Sequence, residues 1–296
     1  MRRFLAVLTV LTVLTVTVLI FAPPVFGQTG TAPKKDSTVA VRLHDGSLLV
    51  GHLADQTADS VVLVTGSGRM KLARSAITEL KVVNEADVHD GVYWSPDPHD
   101  TRLFFGPTGR VLGKGNGYFS DLYLFFVNAA WGVTDRFMIG GGMSVIPTSD
   151  FFGNNVYYLT PKVALVQRES FNVSAGALIG FAGHANGSAG IYYVAATNGR
   201  PDASFTYGLG YAYTKSKISG DATLMLGGNA RVWHRVALMS ENYIFTGSSG
   251  GYLLPIYGVR FIGDKLSTDL GFVNFIGRGS PGLFPGLPWL GFALKF

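Results

Sequence analysis

The feature that most constrains the fold is an alternation of large and small side chains that repeats through residues 102–296. In the stretch 203–214, the large Phe205 and Tyr207 flank the small, polar Thr206, and the pattern continues on both sides. Because successive side chains of a β-strand point to opposite faces, such a stretch predicts a strand with one bulky apolar face and one small or polar face.

The alternation recurs in about twelve runs that are separated by turn-forming residues. The runs span residues 102–110, 117–133, 136–147, 155–167, 170–182, 188–198, 203–214, 220–232, 235–246, 251–262, 265–276 and 286–296. Each is long enough to cross a bilayer as a tilted strand of about 9–11 residues. A membrane barrel turns its bulky face to lipid and keeps small and polar residues in its lumen. The sequence therefore predicts an all-β chain whose residues 102–296 form an antiparallel transmembrane β-barrel of about twelve strands.

Composition excludes several other classes of protein. Hydrophobic residues make up 47% and charged residues 15% of the 296 residues, whereas a soluble domain usually has about 25% charged residues. A disordered chain would need low hydrophobicity and high charge. The absence of cysteine excludes a disulfide scaffold and a cysteine-ligated metal site. A polytopic helical membrane protein needs several apolar runs of about 20 residues, and this chain has one, at its N-terminus.

The N-terminus has the pattern of an export signal. Arg2 and Arg3 precede a long apolar stretch that ends in small residues near Gly27. Residues 1–27 are therefore predicted to be a signal peptide, followed by a short leader over residues 28–36. An uncleaved anchor helix is the alternative, because the apolar stretch is long for a signal. Export and the barrel together predict the outer membrane of a Gram-negative-type bacterium, with the N-terminal part in the periplasm.

Residues 37–83 are predicted to form a separate small β module. Their short apolar runs are broken at Asp45-Gly46 and at Gly66-Ser67-Gly68, where tight hairpins are expected. Five short, bent strands in so few residues resemble an Sm-like or SH3-like small barrel. We expect a spacer or a docking module for a periplasmic partner, and export argues against nucleic acid as that partner. Residues 84–101 are rich in acids and prolines, which predicts a solvated linker rather than a metal site.

The C-terminus resembles the assembly signal of outer-membrane β-barrels. The last residues read Trp-Leu-Gly-Phe-Ala-Leu-Lys-Phe. That signal ends in an aromatic residue, with an apolar residue two positions before it and a glycine five positions before it. Phe296, Leu294 and Gly291 match these three positions. The resemblance implies that the barrel assembly machinery recognises this strand.

A second resemblance covers the stretch of residues 100–147. Its distinctive residues are Arg102, Gly106-Pro107-Thr108, Gly115, Tyr118 and Trp131-Gly132-Val133-Thr134-Asp135. With these residues the stretch is similar to uncharacterised outer-membrane barrels of Bacteroidetes-like bacteria. The resemblance adds weight to a barrel and implies no activity.

Charged residues on the small, polar face of the predicted strands are expected in the lumen, because a charge facing lipid costs about 2–4 kcal/mol at the membrane midplane. These residues are Lys162, Arg231, Glu241, Arg260 and Asp269. An ion-pair network among them would brace and block a small barrel, whereas an open row of charges would line a pore. Twelve strands leave modest room, so we predict a largely plugged polar lumen. A narrow diffusion channel for small solutes is the alternative.

The predicted outer connections carry an excess of basic residues. These residues are Arg110, Lys114, Lys215, Lys217 and Arg278. A cation near an anionic membrane surface gains on the order of 1 kcal/mol. We therefore predict that they contact the phosphates of lipopolysaccharide among the outer-membrane lipids. Ordinary solvated loops are the alternative.

Histidines in the predicted barrel are few, and this weighs against catalysis. They are His184, in a predicted outer loop, and His234, in a tight periplasmic turn. An outer-membrane lipid-modifying enzyme needs a serine activated by a histidine, and the sequence offers His184 no evident partner acid. We therefore predict a structural or weakly channel-forming barrel with no catalytic activity, no cofactor and no metal ion. A lipid-modifying enzyme is the second alternative.

Overall fold

The computed structural model describes residues 33–182, 184, 187–215, 217–246, 251–277 and 281–296. The chain divides into two compact units, with the boundary between Ser95 and Pro96. The predicted signal peptide and most of the leader lie outside the described residues. Within those described ranges, the structure contains no helix with the length and apolar character needed to cross a membrane.

The N-terminal unit is built around a five-stranded antiparallel sheet with the order β4-β3-β2-β1-β5. Its strands are β1 (Thr38–Leu43), β2 (Leu48–Gln56), β3 (Ser60–Thr65), β4 (Gly68–Ala73) and β5 (Ile77–Val82). Val39, Leu53 and Leu63 are among the buried residues of its core, because alternate residues of each strand face one side. A two-stranded hairpin follows, formed by β6 (Val88–His89) and β7 (Val92–Tyr93). Short 3-10 turns lie at Arg74–Ala76 and Glu85–Asp87.

The second unit is a closed antiparallel barrel. Its strands are β8 (Gly117–Leu122), β9 (Phe126–Gly132), β10 (Phe137–Ser144), β11 (Val156–Leu159), β12 (Lys162–Gln167), β13 (Phe171–Ala182), β14 (Ser188–Arg200), β15 (Ala203–Thr214), β16 (Lys217–Trp233), β17 (Val236–Phe245), β18 (Tyr252–Ile262), β19 (Leu266–Val273) and β20 (Leu287–Lys295). Strand β20 pairs with β8 and closes the wall. Both β11 and β12 pair with β10 and β13, so they share one wall position, interrupted at Pro161, which has no N–H for the ladder. The wall therefore has twelve strand positions, and the predicted barrel is confirmed.

Two of the predicted runs differ from the observed wall positions. The run 117–133 is two strands, joined by a turn in which Tyr123 and Leu124 have positive φ values of 58° and 62°. This turn has no recognisable sequence signal, because it is apolar and contains no glycine or proline. The run 102–110 contributes no strand to the wall. One additional strand and one missing strand leave the count unchanged.

The outer surface of the barrel is apolar and its interior is largely polar. Phe205, Tyr207 and Leu209 are exposed on the outside, whereas Thr206 between them is fully buried. This matches the predicted direction of the bulky face. The only α-helical turn among the described residues, Phe151–Asn154, lies in the connection between β10 and β11.

The two ends of the barrel differ in the length of their connections. At the tight-turn end the strands are joined through residues 133–136, 168–170, 201–202, 234–235 and 263–265. At the opposite end, the long-loop end, residues 145–155 and 274–286 form the longest connections. This asymmetry is typical of outer-membrane barrels.

Candidate functional site: the barrel lumen

The residues that precede β8 fold back into the lumen of the barrel. Residues 101–108, here called the lumen hairpin, are held by a hydrogen bond from Thr108 N to Thr101 O of 3.0 Å and one from Leu103 N to Gly106 O of 2.9 Å. Phe104 at its tip is fully buried, and its ring packs edge-on against Trp289 with 5.9 Å between centroids. The hairpin therefore replaces water with a packed apolar cluster on one side of the lumen.

Glu241, on β17, binds the backbone of the hairpin tip. Its two carboxylate oxygens accept hydrogen bonds from Phe105 N at 3.0 Å and from Gly106 N at 2.9 Å. The carboxyl group is fully buried, so these two N–H groups take the place of water. Gly106 is needed for this approach, because a Cβ atom there would overlap the sulfur of Met225 and the hydroxyl of Tyr243.

Arg260, on β18, joins three parts of the barrel unit. Its guanidinium donates to both carboxylate oxygens of Asp269 on β19, at 2.6 and 2.9 Å. It also donates to Asp97 Oδ2 at 2.7 Å and to the carbonyl oxygen of Leu103 at 2.8 Å. Arg260 and Asp269 are almost completely buried. A bidentate pair of this kind fixes geometry as well as charge.

Polar contacts continue around the hairpin. Lys162 Nζ donates to the carbonyl oxygen of Thr101 at 2.8 Å, and Ser174 Oγ donates to that of Thr108 at 3.1 Å. Arg231 lies apart from this group, since it pairs with Asp202 at 3.0 Å at the tight-turn end and also donates to His234 O. Four of the five residues predicted in the lumen thus surround the hairpin, and the fifth does not.

The sequence analysis missed the acidic and histidine residues that complete this network. Asp97 and His99 fall in the predicted solvated linker, but the structure places them in the barrel unit, and His99 is fully buried beside Ser267 with 2.7 Å between Nδ1 and Oγ. The charges of the predicted lumen residues could have indicated this arrangement. These residues comprise three cations and two anions, and the excess of positive charge indicates a further acid nearby.

The basic residues predicted in outer connections do not lie together. Arg110 is buried, donates to Gly199 O at 3.0 Å and lies 3.9 Å from Asp100, because the run predicted to precede an outer loop is instead inside the lumen. Lys114 is exposed at the tight-turn end, where its N–H donates to Asp135 Oδ1 at 3.0 Å.

The remaining basic residues are at the long-loop end or outside the described residues. Lys215 and Lys217 are exposed beside the connection between β15 and β16. Arg278 lies outside the described residues.

A cavity of about 360 Å³ lies on the open side of the lumen hairpin. Its size is within the range of small-molecule sites. Its walls are mainly apolar, and they include Ile191, Met225 and Leu254, while Arg102 and Phe105 of the hairpin border it. Arg102 Nη1 donates to Phe104 O at 2.9 Å, but its buried Nε and Nη2 have no hydrogen-bond partner in the described part of the chain.

A second polar feature lies at the long-loop end. His184 Nε2 is 2.7 Å from Asp150 Oδ2. Asp150 also accepts a hydrogen bond from Gly153 N at 3.0 Å, and this bond, together with that to His184, lowers the pKa of its carboxyl group. His184 therefore has the partner acid that the sequence did not reveal.

The three matching residues of the C-terminal signal lie on or beside β20. Leu294 is half exposed on the outer face, and Gly291 packs beside Leu122 of β8. Phe296 N donates to Gly117 O at 3.0 Å, and its ring stacks on Trp131 with 5.9 Å between centroids. The C-terminus is thus bound to the first strands of the wall.

Comparison with known proteins finds similar structures and no similar sequences. No family model matches the chain, and no curated protein sequence matches it significantly. A loop L8 deletion mutant of OmpT, an outer membrane protein of Vibrio cholerae, is 13% identical, covers 88% of this chain and 95% of its own, and has a TM-score of 0.36. Salmonella typhi OmpF in complex with daunomycin is 9% identical over 88% of this chain and 96% of its own, with a TM-score of 0.32.

A variant of OccD1 (OprD) is also similar, at 9% identity and a TM-score of 0.34. The match covers 57% of this chain, which spans 57% of the length of that protein. Likeness at this level assigns no activity, location or organism group to this chain.

The prediction that the chain has no enzymatic activity is corrected. The similar structures include OmpT as well as OmpF and OccD1, so likeness of fold gives no ground for excluding an enzyme. The exclusion also depended on His184 having no partner acid, and Asp150 is such a partner.

Proposed function

We propose that this protein is an outer-membrane barrel held closed by its own lumen hairpin. The observation that carries the proposal is the double hydrogen bond from the hairpin tip to Glu241. A buried carboxylate is costly unless its hydrogen bonds are made, so withdrawal of the hairpin would leave Glu241 unsatisfied. The native state of the barrel therefore favours the inserted hairpin.

The buried charges of the lumen support the same proposal. Arg260 donates to the carbonyl oxygen of Leu103 in the hairpin, so displacing the hairpin would take one hydrogen bond from a buried guanidinium. A narrow diffusion channel is the second candidate, and the cavity of about 360 Å³ beside the hairpin favours it, because the hairpin does not fill the lumen completely.

Conductance in planar bilayers tests closure directly. We expect the purified wild-type protein to show no steady open current. A variant in which residues 102–107 are replaced by two glycines should conduct in discrete steps, because the Thr101–Thr108 pair can be closed by a two-residue turn and Phe104 and Phe105 leave the lumen. A steady current through the wild type, equal to that of the shortened variant, would contradict closure and favour the diffusion channel.

We also propose an orientation for the barrel. Short turns normally lie on the periplasmic side of outer-membrane barrels and long loops outside. The long-loop end would then face the exterior, and the β module of residues 37–83 would lie in the periplasm as a spacer or docking module. Lys215 and Lys217 would face the outer leaflet, where we propose that they contact lipopolysaccharide phosphates.

The absence of natural cysteines gives a direct measurement of orientation. We expect Lys215→Cys to react with a membrane-impermeant maleimide on intact cells. Ser67→Cys, in the hairpin between β3 and β4, should react only after the outer membrane is permeabilised, because a folded barrel excludes the reagent. Labelling of Ser67→Cys but not Lys215→Cys on intact cells would reverse the orientation and remove the proposed lipopolysaccharide contact.

A further inference from the structure

Arg102 is a partly buried cation of the lumen whose buried Nε and Nη2 have no hydrogen-bond partner in the described part of the chain. Its Nη1 donates to the carbonyl oxygen of Phe104. Arg260, by contrast, has two carboxylates and a carbonyl oxygen around its guanidinium. Buried charges are normally paired because the unpaired state is costly. Among the described residues, no carboxylate forms an ion pair with Arg102.

The space next to Arg102 has the shape and lining of a ligand site. The cavity borders Arg102 on one side and is lined elsewhere mainly by apolar side chains, among them Leu178, Ile191, Met225 and Leu254. Small-molecule sites commonly combine an apolar cavity with a few polar groups that fix orientation. Lys162 also borders the cavity and adds a second basic side chain to its lining.

We propose that this cavity binds an aliphatic carboxylate, with its carboxylate group on Arg102 and its chain along the apolar walls. A guanidinium presents parallel N–H groups that match the two oxygens of a carboxylate. The hydrocarbon chain fits the walls because burying apolar surface is favourable in proportion to its area. Sugars and other polar solutes lack the apolar surface that these walls would cover. Lipids with several acyl chains exceed a volume of about 360 Å³.

Equilibrium dialysis with radiolabelled decanoate tests the site, using the full chain transferred from detergent to amphipol so that detergent does not fill the cavity. We expect saturable binding of decanoate to the wild type. Arg102→Gln should raise the Kd for decanoate at least about tenfold, because it removes hydrogen bonds to a charged group. Arg102→Lys keeps the charge and should lose less affinity. Arg168→Gln, at an exposed turn, is the matched control and should leave the Kd unchanged.

Two further measurements separate the head group from the chain. Decanol has the same chain without charge, so its weaker binding should be equal in the wild type and Arg102→Gln. Gly208→Phe should abolish binding of both ligands, since Gly208 lines the cavity and its added side chain would occupy it. A Cβ there would meet its nearest neighbours at 3.4 Å, an ordinary van der Waals contact, so the backbone itself leaves room for a side chain to begin at this position. Leu226→Phe, on the outer face and away from the cavity lining, is its control.

Folded barrels are identified by heat-modifiable gel mobility, and only variants that pass this check are compared. No saturable decanoate binding to the wild type would overturn the proposal. Equal decanoate affinity in the wild type and Arg102→Gln would also overturn it, because the guanidinium would then have no part in recognition. Conductance is not measured in this experiment, so its outcome is independent of whether the hairpin closes the barrel.

Discussion

Arg260→Met should destabilise the barrel by about 3–5 kcal/mol, since removing one partner of a buried ion pair leaves the other charges uncompensated. Asp269 would keep a carboxylate in an almost fully buried position, and Asp97 would no longer have its ion pair of 2.7 Å. The carbonyl oxygen of Leu103 would be without this donor as well. The free energy of unfolding, followed by guanidinium titration of the protein in lipid vesicles, measures the change.

Arg200→Met is the matched control for this prediction. Arg200 pairs with Glu169 at 3.7 Å, but both side chains are half exposed or more, at 50% and 81%. Exposed ion pairs contribute about 0–1 kcal/mol, so this variant should remain close to the wild type.

A variant that also carries Asp97→Asn and Asp269→Asn tests the electrostatic cause. If unpaired charge is the reason for the loss of stability, neutralising both acids should restore part of the stability of Arg260→Met. Equal destabilisation in Arg260→Met and Arg200→Met, or no recovery in the triple variant, would contradict the role given to the buried network.

The barrel wall could be predicted because lipid imposes one rule on every strand. Each strand must present apolar side chains outward and small or polar ones inward, so the two-residue period is visible in the sequence without any knowledge of its neighbours. Phe205 to Leu209 follow this rule, and the prediction of their faces holds. The same rule located the inward-facing Lys162, Glu241, Arg260 and Asp269.

The lumen hairpin could not be predicted from the same pattern. Leu103 and Phe104 are apolar because they pack against Trp289 and Ile256 inside the barrel, so the run 102–110 resembles a strand for a different reason. Its partners are also distant along the chain: the bond between Asp97 and Arg260 spans 163 positions. Local periodicity contains no information on such contacts.

The wrong placement of Arg110 and Lys114 followed from the prediction of the run 102–110 as a wall strand. With the run 102–110 taken as a strand, Arg110 and Lys114 fall in a predicted outer loop. With that run inside the lumen, Arg110 is buried there and Lys114 lies at the tight-turn end. Lys215 and Lys217, which follow correctly predicted strands, remain at the long-loop end.

Phe296→Ala should reduce the amount of folded protein in the outer membrane several-fold while leaving the stability of the protein that does assemble nearly unchanged. The substitution removes a ring that stacks on Trp131, and an aromatic pair contributes about 0.5–1.5 kcal/mol beyond area burial. A change of that size does not unfold a closed barrel. A large fall in yield would therefore indicate that the C-terminal strand is recognised during assembly, because loss of packing against Trp131 alone is too small to cause it. Membrane fractionation with heat-modifiable gel mobility measures the yield.

Three variants separate assembly from packing. Trp131→Ala removes the same stack but keeps the terminal aromatic residue, and Phe205→Ala removes an exposed aromatic ring from the middle of the wall. Both should assemble close to normally, and Phe296→Tyr should restore the yield because it keeps an aromatic terminus. A normal yield of Phe296→Ala would reject the assembly role. An equal fall in Trp131→Ala would assign the effect to the stack, since both variants remove that stack.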